Sequence, residues 1–248
     1  MDGRVWNSIK RRIPHSIRRR ARDWRAILKG PPAHDQLTRA RKALLLSHSR
    51  ISGFDLVLVP GQPHRSTDAL TASFYDHQHE DAQYRQNNWL LDQVDVLKSV
   101  EPHVVVEVGC GNGRFLRAMA PYASKVIGID WAQSPELVDL PDNVAFVRSD
   151  VVSSAIPSGD IICSADVLEH FAPRDVDVVI SRFTGAGPYQ HHVIACYDDG
   201  HTHLSILPPV AWLALFRKYC PTAYLADVHY RRDDPAQIVC VVSNLPSG

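Results

Sequence analysis

The sequence predicts an α/β protein: a mostly parallel sheet layered with helices, an antiparallel hairpin at its C-terminal end, and a helical N-terminal extension. Three observations carry this. Short Val- and Ile-rich runs alternate with helical patterns from residue 101 to residue 248. A glycine turn, "EVGCGNG", stands between the first such run and the first such helix. The chain then closes on two strand patterns, "TAYLADVHY" and "AQIVCVVSN", joined by the polar "RRDDP".

Residues 1–50 form a basic arm, in which Val5, Trp6, Ile9, Ile13 and Ile17 recur every three to four residues among arginines. That spacing predicts a basic amphipathic helix, kinked at Pro14 and ended by "KGPP", with a second helix over 35–47. Residues 51–100 read as a connector: a short strand in "DLVLV", a loop, then a helix over 80–100 that covers the ligand site. The domain proper, 101–248, has strands predicted at 104–108, 125–129, 143–147, 160–164 and 191–197. Each is continuous and apolar, as strands covered on both faces are. Helices are predicted over 113–121, 174–183 and 210–218, the last two each behind a proline.

Charge divides the chain. The arm holds 14 of the 27 Lys and Arg but 3 of the 27 Asp and Glu, so it carries +11 and the remainder −11. No apolar run reaches the ~20 residues of a bilayer span, and the Arg-rich start lacks the apolar core of a secretory signal. Five scattered cysteines without a CxxC pair read as reduced thiols, so a cytoplasmic location is expected.

The turn points to a ligand. A bare backbone between strand and helix lets a ligand lie against the main chain. The spacing is GxGxG, with Arg114 where a dinucleotide fingerprint has its last glycine. Glu107 at the strand end would repel a pyrophosphate and suits a ligand carrying an ammonium group. Both features disfavour a nicotinamide-dependent oxidoreductase. Asp130 and Asp150 close the next two strands, where open parallel sheets bind ligands, and are placed for ribose hydroxyls and an adenine amine.

On these residues the chain resembles the class I S-adenosylmethionine-dependent methyltransferases. "EVGCGNGRF", "VIGIDWA" and "VAFVRSDV" are similar to that family's first three motifs. "DIICSADVLEHF" and "HTHLSILPPVAWLALFRKYC" resemble segments of its small-molecule branch. Cys220–Pro221 and Pro208–Pro209 depart from that branch, both on the acceptor side. The resemblance covers about 75–248 and implies a Rossmann-like sheet of seven strands with S-adenosyl-L-methionine as cofactor. It implies that Glu107, Gly109, Cys110 and Gly111 hold the methionine part, Asp130 the ribose with Trp131 beside the adenine, and Asp150 and Val151 the adenine. Ala165 and Asp166 would lie under the reacting sulfonium. Arg85 is a candidate for the cofactor carboxylate and Tyr75 for closing over the site, each set against plain packing or solvation.

His170 is the leading candidate for a general base and His203 the second, although His170 also reads as a residue that only orients its motif. Asp198, Asp199, His201 and His203 contain metal-binding residue types, but no fixed ligand set is evident, so no metal is expected. No (D/N)PP(Y/F) segment follows the fourth strand, which favours an oxygen, carbon or small-molecule nitrogen acceptor; a hydroxyl of a glycan or lipid-linked intermediate is preferred. For the arm, an anionic membrane surface met by residues 1–30, packing on protein, and nucleic acid compete. Sparse aromatic interleaving disfavours single-stranded RNA. The alternatives for the whole chain are a non-catalytic interaction protein with this fold and an RNA methyltransferase that uses the arm. The sequence does not fix oligomeric state.

Overall fold

The structure is a computed structural model that describes residues 70–82, 84–234 and 236–246. The basic arm and the "DLVLV" segment lie outside the described residues.

Seven strands form one sheet in the order β3-β2-β1-β4-β5-β7-β6. They are β1 (Val104–Val108), β2 (Lys125–Asp130), β3 (Val144–Arg148), β4 (Ile161–Ala165), β5 (Tyr189–Ala195), β6 (Tyr224–Tyr230) and β7 (Ile238–Ser243). β1 to β5 pair in parallel, while β7 runs antiparallel to β5 and to β6. This is the Rossmann-like arrangement the motifs implied. The predicted strands fall within one or two residues of those observed. The largest offset is β5, which starts two residues early. There Gln190 bonds the carbonyls of Phe183 and Gly187 (3.1 and 2.7 Å), which closes the preceding helix and starts pairing at Tyr189.

The helices are α1 (Ala72–Gln78), α2 (Val94–Lys98), α3 (Arg114–Met119), α4 (Pro173–Ala186) and α5 (Pro209–Arg217). Prolines open α4 and α5, where a missing N–H costs nothing. The unusual Pro208–Pro209 is thus the start of α5. Alternate residues of each strand face opposite layers. On one face Val106, Ile127 and Ile162 pack with Val179 and Phe183 of α4 and Trp212 and Phe216 of α5. On the other Val105, Val126 and Cys163 pack with Leu97 of α2 and Phe115, Leu116 and Met119 of α3. No helix among the described residues is long and apolar enough to cross a membrane.

The single helix predicted over 80–100 is broken into short 3₁₀ turns, Tyr84–Gln86 and Trp89–Gln93, followed by α2. Asn88 is extended (φ −158°), and the Asn112 side-chain amide bonds the carbonyls of Arg85 and Asn87. Those carbonyls are therefore committed to the glycine turn, and the tertiary contact overrides the helical pattern. The connector is thereby pinned to the mouth of β1.

Candidate functional site

Strand order reverses at β1, whose neighbours are β2 and β4, so the C-terminal ends of β1 and β4 diverge and open a crevice. A cavity of about 570 Å³ occupies it, within the range of small-molecule sites. All fourteen residues singled out from the sequence line it: Tyr75, Arg85, Glu107, Gly109, Cys110, Gly111, Asp130, Trp131, Asp150, Val151, Ala165, Asp166, His170 and His203.

The turn after β1 adopts left-handed backbone at Gly109, Gly111 and Gly113 (φ +70°, +49° and +70°). Gly109 is also the point of closest approach, since a Cβ there would stand 2.2 Å from Cγ2 of Val167. The N–H groups of Gly109 and Cys110 donate to the Ile129 carbonyl (2.7 and 3.1 Å), which ties the turn to β2. Asp130 accepts from Gly111 N–H (2.9 Å) and Ala132 N–H (3.0 Å), so its carboxylate is held rigidly at the cavity wall. Burial raises its pKa, opposed by those backbone donors and by the nearby His79. Glu107 is buried, its Oε2 has no hydrogen-bond partner, and burial together with the Asp130 charge pushes its carboxyl well up. An orphaned carboxyl oxygen beside an open glycine turn is chemically suited to accept from an ammonium group.

Asp150 caps the turn after β3, accepting from Val152 N–H (2.9 Å) and Ser153 Oγ (3.1 Å), with Val151 buried beside it. Trp131 lies 5.7 Å, ring to ring, from Tyr75 of α1. Helix α1 is anchored by Asp76, which accepts from Gln133 N–H (2.8 Å) and from Arg148 (2.7 Å). Arg85 bonds the carbonyls of His79 and Glu80 and pairs with Glu136 (3.1 Å). Its guanidinium therefore fastens the connector.

The other wall is built at the end of β4. Asp166 sits at φ +54° and receives a two-pronged bond from Arg231 (2.8 and 2.6 Å). Arg231 is buried, donates to Tyr197 Oη (3.0 Å) and stacks 4.2 Å over the Trp89 ring. His170 Nδ1 lies 3.2 Å from the Thr202 carbonyl and 3.2 Å from Tyr75 Oη. A carbonyl only accepts, so Nδ1 carries the proton and Nε2 is left as the basic nitrogen. Burial and the facing His203 bring the His170 pKa down to about 4. His203 likewise turns Nδ1 to the Tyr197 carbonyl (2.6 Å), with Nε2 4.0 Å from Glu169 Oε1. Among the described residues, ligand-type atoms of Glu169, His170 and His203 lie within 4.8 Å of one another. These atoms come from two segments, and of the Asp198–His203 run only His203 is among them.

Sequence reasoning missed His79, Trp89, Glu169 as a site group, and Arg231. His79 is buried against Gly111 and Asp130, with Nδ1 unpartnered. Arg231 lies in the "RRDDP" link, which reads as a solvated turn. Its only signal was an arginine pair beside the last strand.

Residues 106–184 match the family model described as a methyltransferase domain. No curated protein matches the chain. Among solved structures, the N-methyltransferase NodS from Bradyrhizobium japonicum WM9, in complex with S-adenosyl-L-homocysteine, is similar at TM-score 0.52 and 14% identity, over 71% of this chain and 98% of that one. The 1,6-didemethyltoxoflavin-N1-methyltransferase of Burkholderia thailandensis, with bound 1,6-didemethyltoxoflavin and S-adenosylhomocysteine, is similar at TM-score 0.57 and 18% identity, over 77% and 92%.

Proposed function

We propose that this chain is a class I S-adenosylmethionine-dependent methyltransferase and that it methylates a hydroxyl of a small acceptor, a glycan or lipid-linked intermediate being preferred. The observation that carries the reading is that one cavity joins the orphaned Glu107 and rigid Asp130 to the Tyr75–His170 pair and to His203. Cofactor and acceptor sites are thereby continuous. The lipid-linked part rests on the amphipathic arginine pattern of residues 1–30, which suits an anionic surface.

The residues fit the cofactor. Glu107 holds its ammonium group, Asp130 its ribose diol, and Trp131, Asp150 and Val151 its adenine. S-Adenosylmethionine supplies an electrophilic methyl group on a cationic sulfur. The protein aligns the acceptor oxygen with it, excludes water and takes up the hydroxyl proton. Tyr75, held by His170, closes the acceptor side. Arg231 locks Asp166, so the wall beside the reacting centre is rigid and close to neutral. Proton removal falls to the cluster at the end of β4, where His170 and His203 each keep a basic Nε2.

The test is calorimetric titration with S-adenosylmethionine and S-adenosylhomocysteine, with NAD as control, followed by tritiated methyl transfer to lipid and glycan extracts. Asp130→Ala loses hydrogen bonds to a charged group worth ~1.5–3 kcal/mol each, or on the order of 10²-fold or more in affinity for two. Binding of NAD instead, or no cofactor binding by folded protein, would overturn the reading. Label confined to protein or RNA would overturn the acceptor class.

A further inference from the structure

The cluster at the end of β4 has features that proton uptake alone does not require. Glu169 follows the strand in a short 3₁₀ turn, His170 is next to it, and His203 arrives from the loop after β5. The loop is fastened by two backbone bonds, Leu204 N–H (2.8 Å) and Ser205 N–H (2.9 Å) to the Glu169 carbonyl. The two segments that bring the three side chains together are therefore bound to each other, and the cluster does not depend on a flexible loop.

Each member is oriented from behind. His203 Nδ1 donates to the Tyr197 carbonyl (2.6 Å) and His170 Nδ1 to the Thr202 carbonyl (3.2 Å), which leaves both Nε2 lone pairs unprotonated. Imidazoles that bind metals are commonly held in this way, with the second nitrogen on a carbonyl that fixes tautomer and ring plane. Glu169 Oε1 accepts from Ala195 N–H (3.1 Å), while Oε2 is fully buried with no partner. The nearest buried cation, Arg231, is already engaged two-pronged by Asp166. A buried carboxyl group with an orphaned oxygen thus stands in a cluster whose ligand-type atoms, an imidazole nitrogen of each histidine included, lie within 4.8 Å of one another.

We propose that Glu169, His170 and His203 form a binding site for one divalent transition ion, Zn²⁺ or a close relative. Two imidazoles and one carboxylate, with a fourth position left open, is a ligand set that suits such ions. Metal–ligand bonds of ~2.0–2.2 Å place ligand atoms ~3.3 Å apart around a tetrahedral ion. The present spread is up to 4.8 Å, so the three side chains draw together around the ion. His170 and His203 line the cavity, so the open position takes an acceptor hydroxyl there; the ion lowers its pKa and the proton leaves to water, the two imidazoles then serving as ligands in place of bases. This deepens the proposed reading, since it names the device that assists proton loss, and it rests on the acceptor occupying that side of the cavity.

The test uses the full chain, stripped with chelator and free of cofactor. Titration with Zn²⁺ is followed by calorimetry and titration with Co²⁺ by visible absorption. One ion per chain is expected, with Co²⁺ ligand-field bands and no thiolate charge-transfer band, because the cluster contains no sulfur. Glu169→Gln and His203→Gln, each confirmed folded by circular dichroism, should weaken Zn²⁺ by at least about tenfold. Absence of a one-to-one ion, a thiolate band, or equal affinity in both folded variants would each overturn the site. S-Adenosylmethionine binding, measured on the same samples, separates this failure from failure of the methyltransferase reading.

Discussion

Gly109→Ala is the substitution for which the structure gives the fullest arithmetic. At φ +70° an L-residue other than glycine costs ~1–2 kcal/mol. The new methyl would also meet Cγ2 of Val167 at 2.2 Å, with its Cβ at 3.4 Å. Val167 is β-branched and stiff about χ1, so relief requires an off-rotamer side chain or a backbone shift, at ~1–3 kcal/mol. The sum is about 2–5 kcal/mol, a fall in melting temperature of roughly 4–20 °C for a chain of this size. The strain is directed, because Val167 follows Asp166 and displacing it disturbs the wall of the cofactor cavity. Thermal unfolding followed by circular dichroism reads the loss. Val167→Ala should restore the overpacking share and leave the backbone share, so the double variant recovers part of the loss and never all of it. A melting temperature within about 2 °C of the parent for Gly109→Ala would refute the claimed close approach and the left-handed turn together.

Glu107→Gln should move stability and function in opposite directions. Burial raises the Glu107 carboxyl, so the cofactor-free protein loses stability as pH rises above the ordinary carboxylate value of ~4.3, and the amide abolishes that loss. Denaturant melts at neutral pH should show a more stable variant, and calorimetry a weaker grip on S-adenosylmethionine. His191, buried between Ser243 Oγ (3.1 Å) and Gln93 Oε1 (3.2 Å), has its pKa lowered to about 4. Its contribution is present above ~6.5 and lost as pH falls towards 4, up to about 3 kcal/mol, and His191→Gln should flatten the unfolding free energy across that window. Arg231→Leu strands Asp166. A fully buried pair broken on one side costs ~3–5 kcal/mol, and the partial exposure of Asp166 reduces this to about 2–3 kcal/mol, read by urea unfolding. Tyr75→Phe keeps the ring against Trp131 and removes the hydroxyl from His170, so cofactor affinity should hold while methyl transfer slows.

Part of the site was legible because its geometry is local. The glycine spacing dictates the turn after β1, and Asp130 and Asp150 stand at strand ends that their own apolar runs mark out. Position on a strand end fixes position at the crevice once the strands are parallel. The connector was not legible in the same way. The pattern over 80–100 is helical, yet Asn112 draws the carbonyls of Arg85 and Asn87 into its own bonds and breaks it. Arg85, a free cation in the sequence, is committed to backbone carbonyls and Glu136.

By itself, then, the sequence determined the strands, the hairpin, the glycine turn and the acids that line the crevice. Each follows from periodicity, steric freedom or register within a few residues of itself. Only the tertiary structure decided that Arg231 crosses from the last hairpin to Asp166, 65 positions away, and that Glu169, His170 and His203 converge. Such pairings depend on which strands become neighbours and how far each loop reaches. Those are properties of the packed sheet as a whole, and no single segment encodes them.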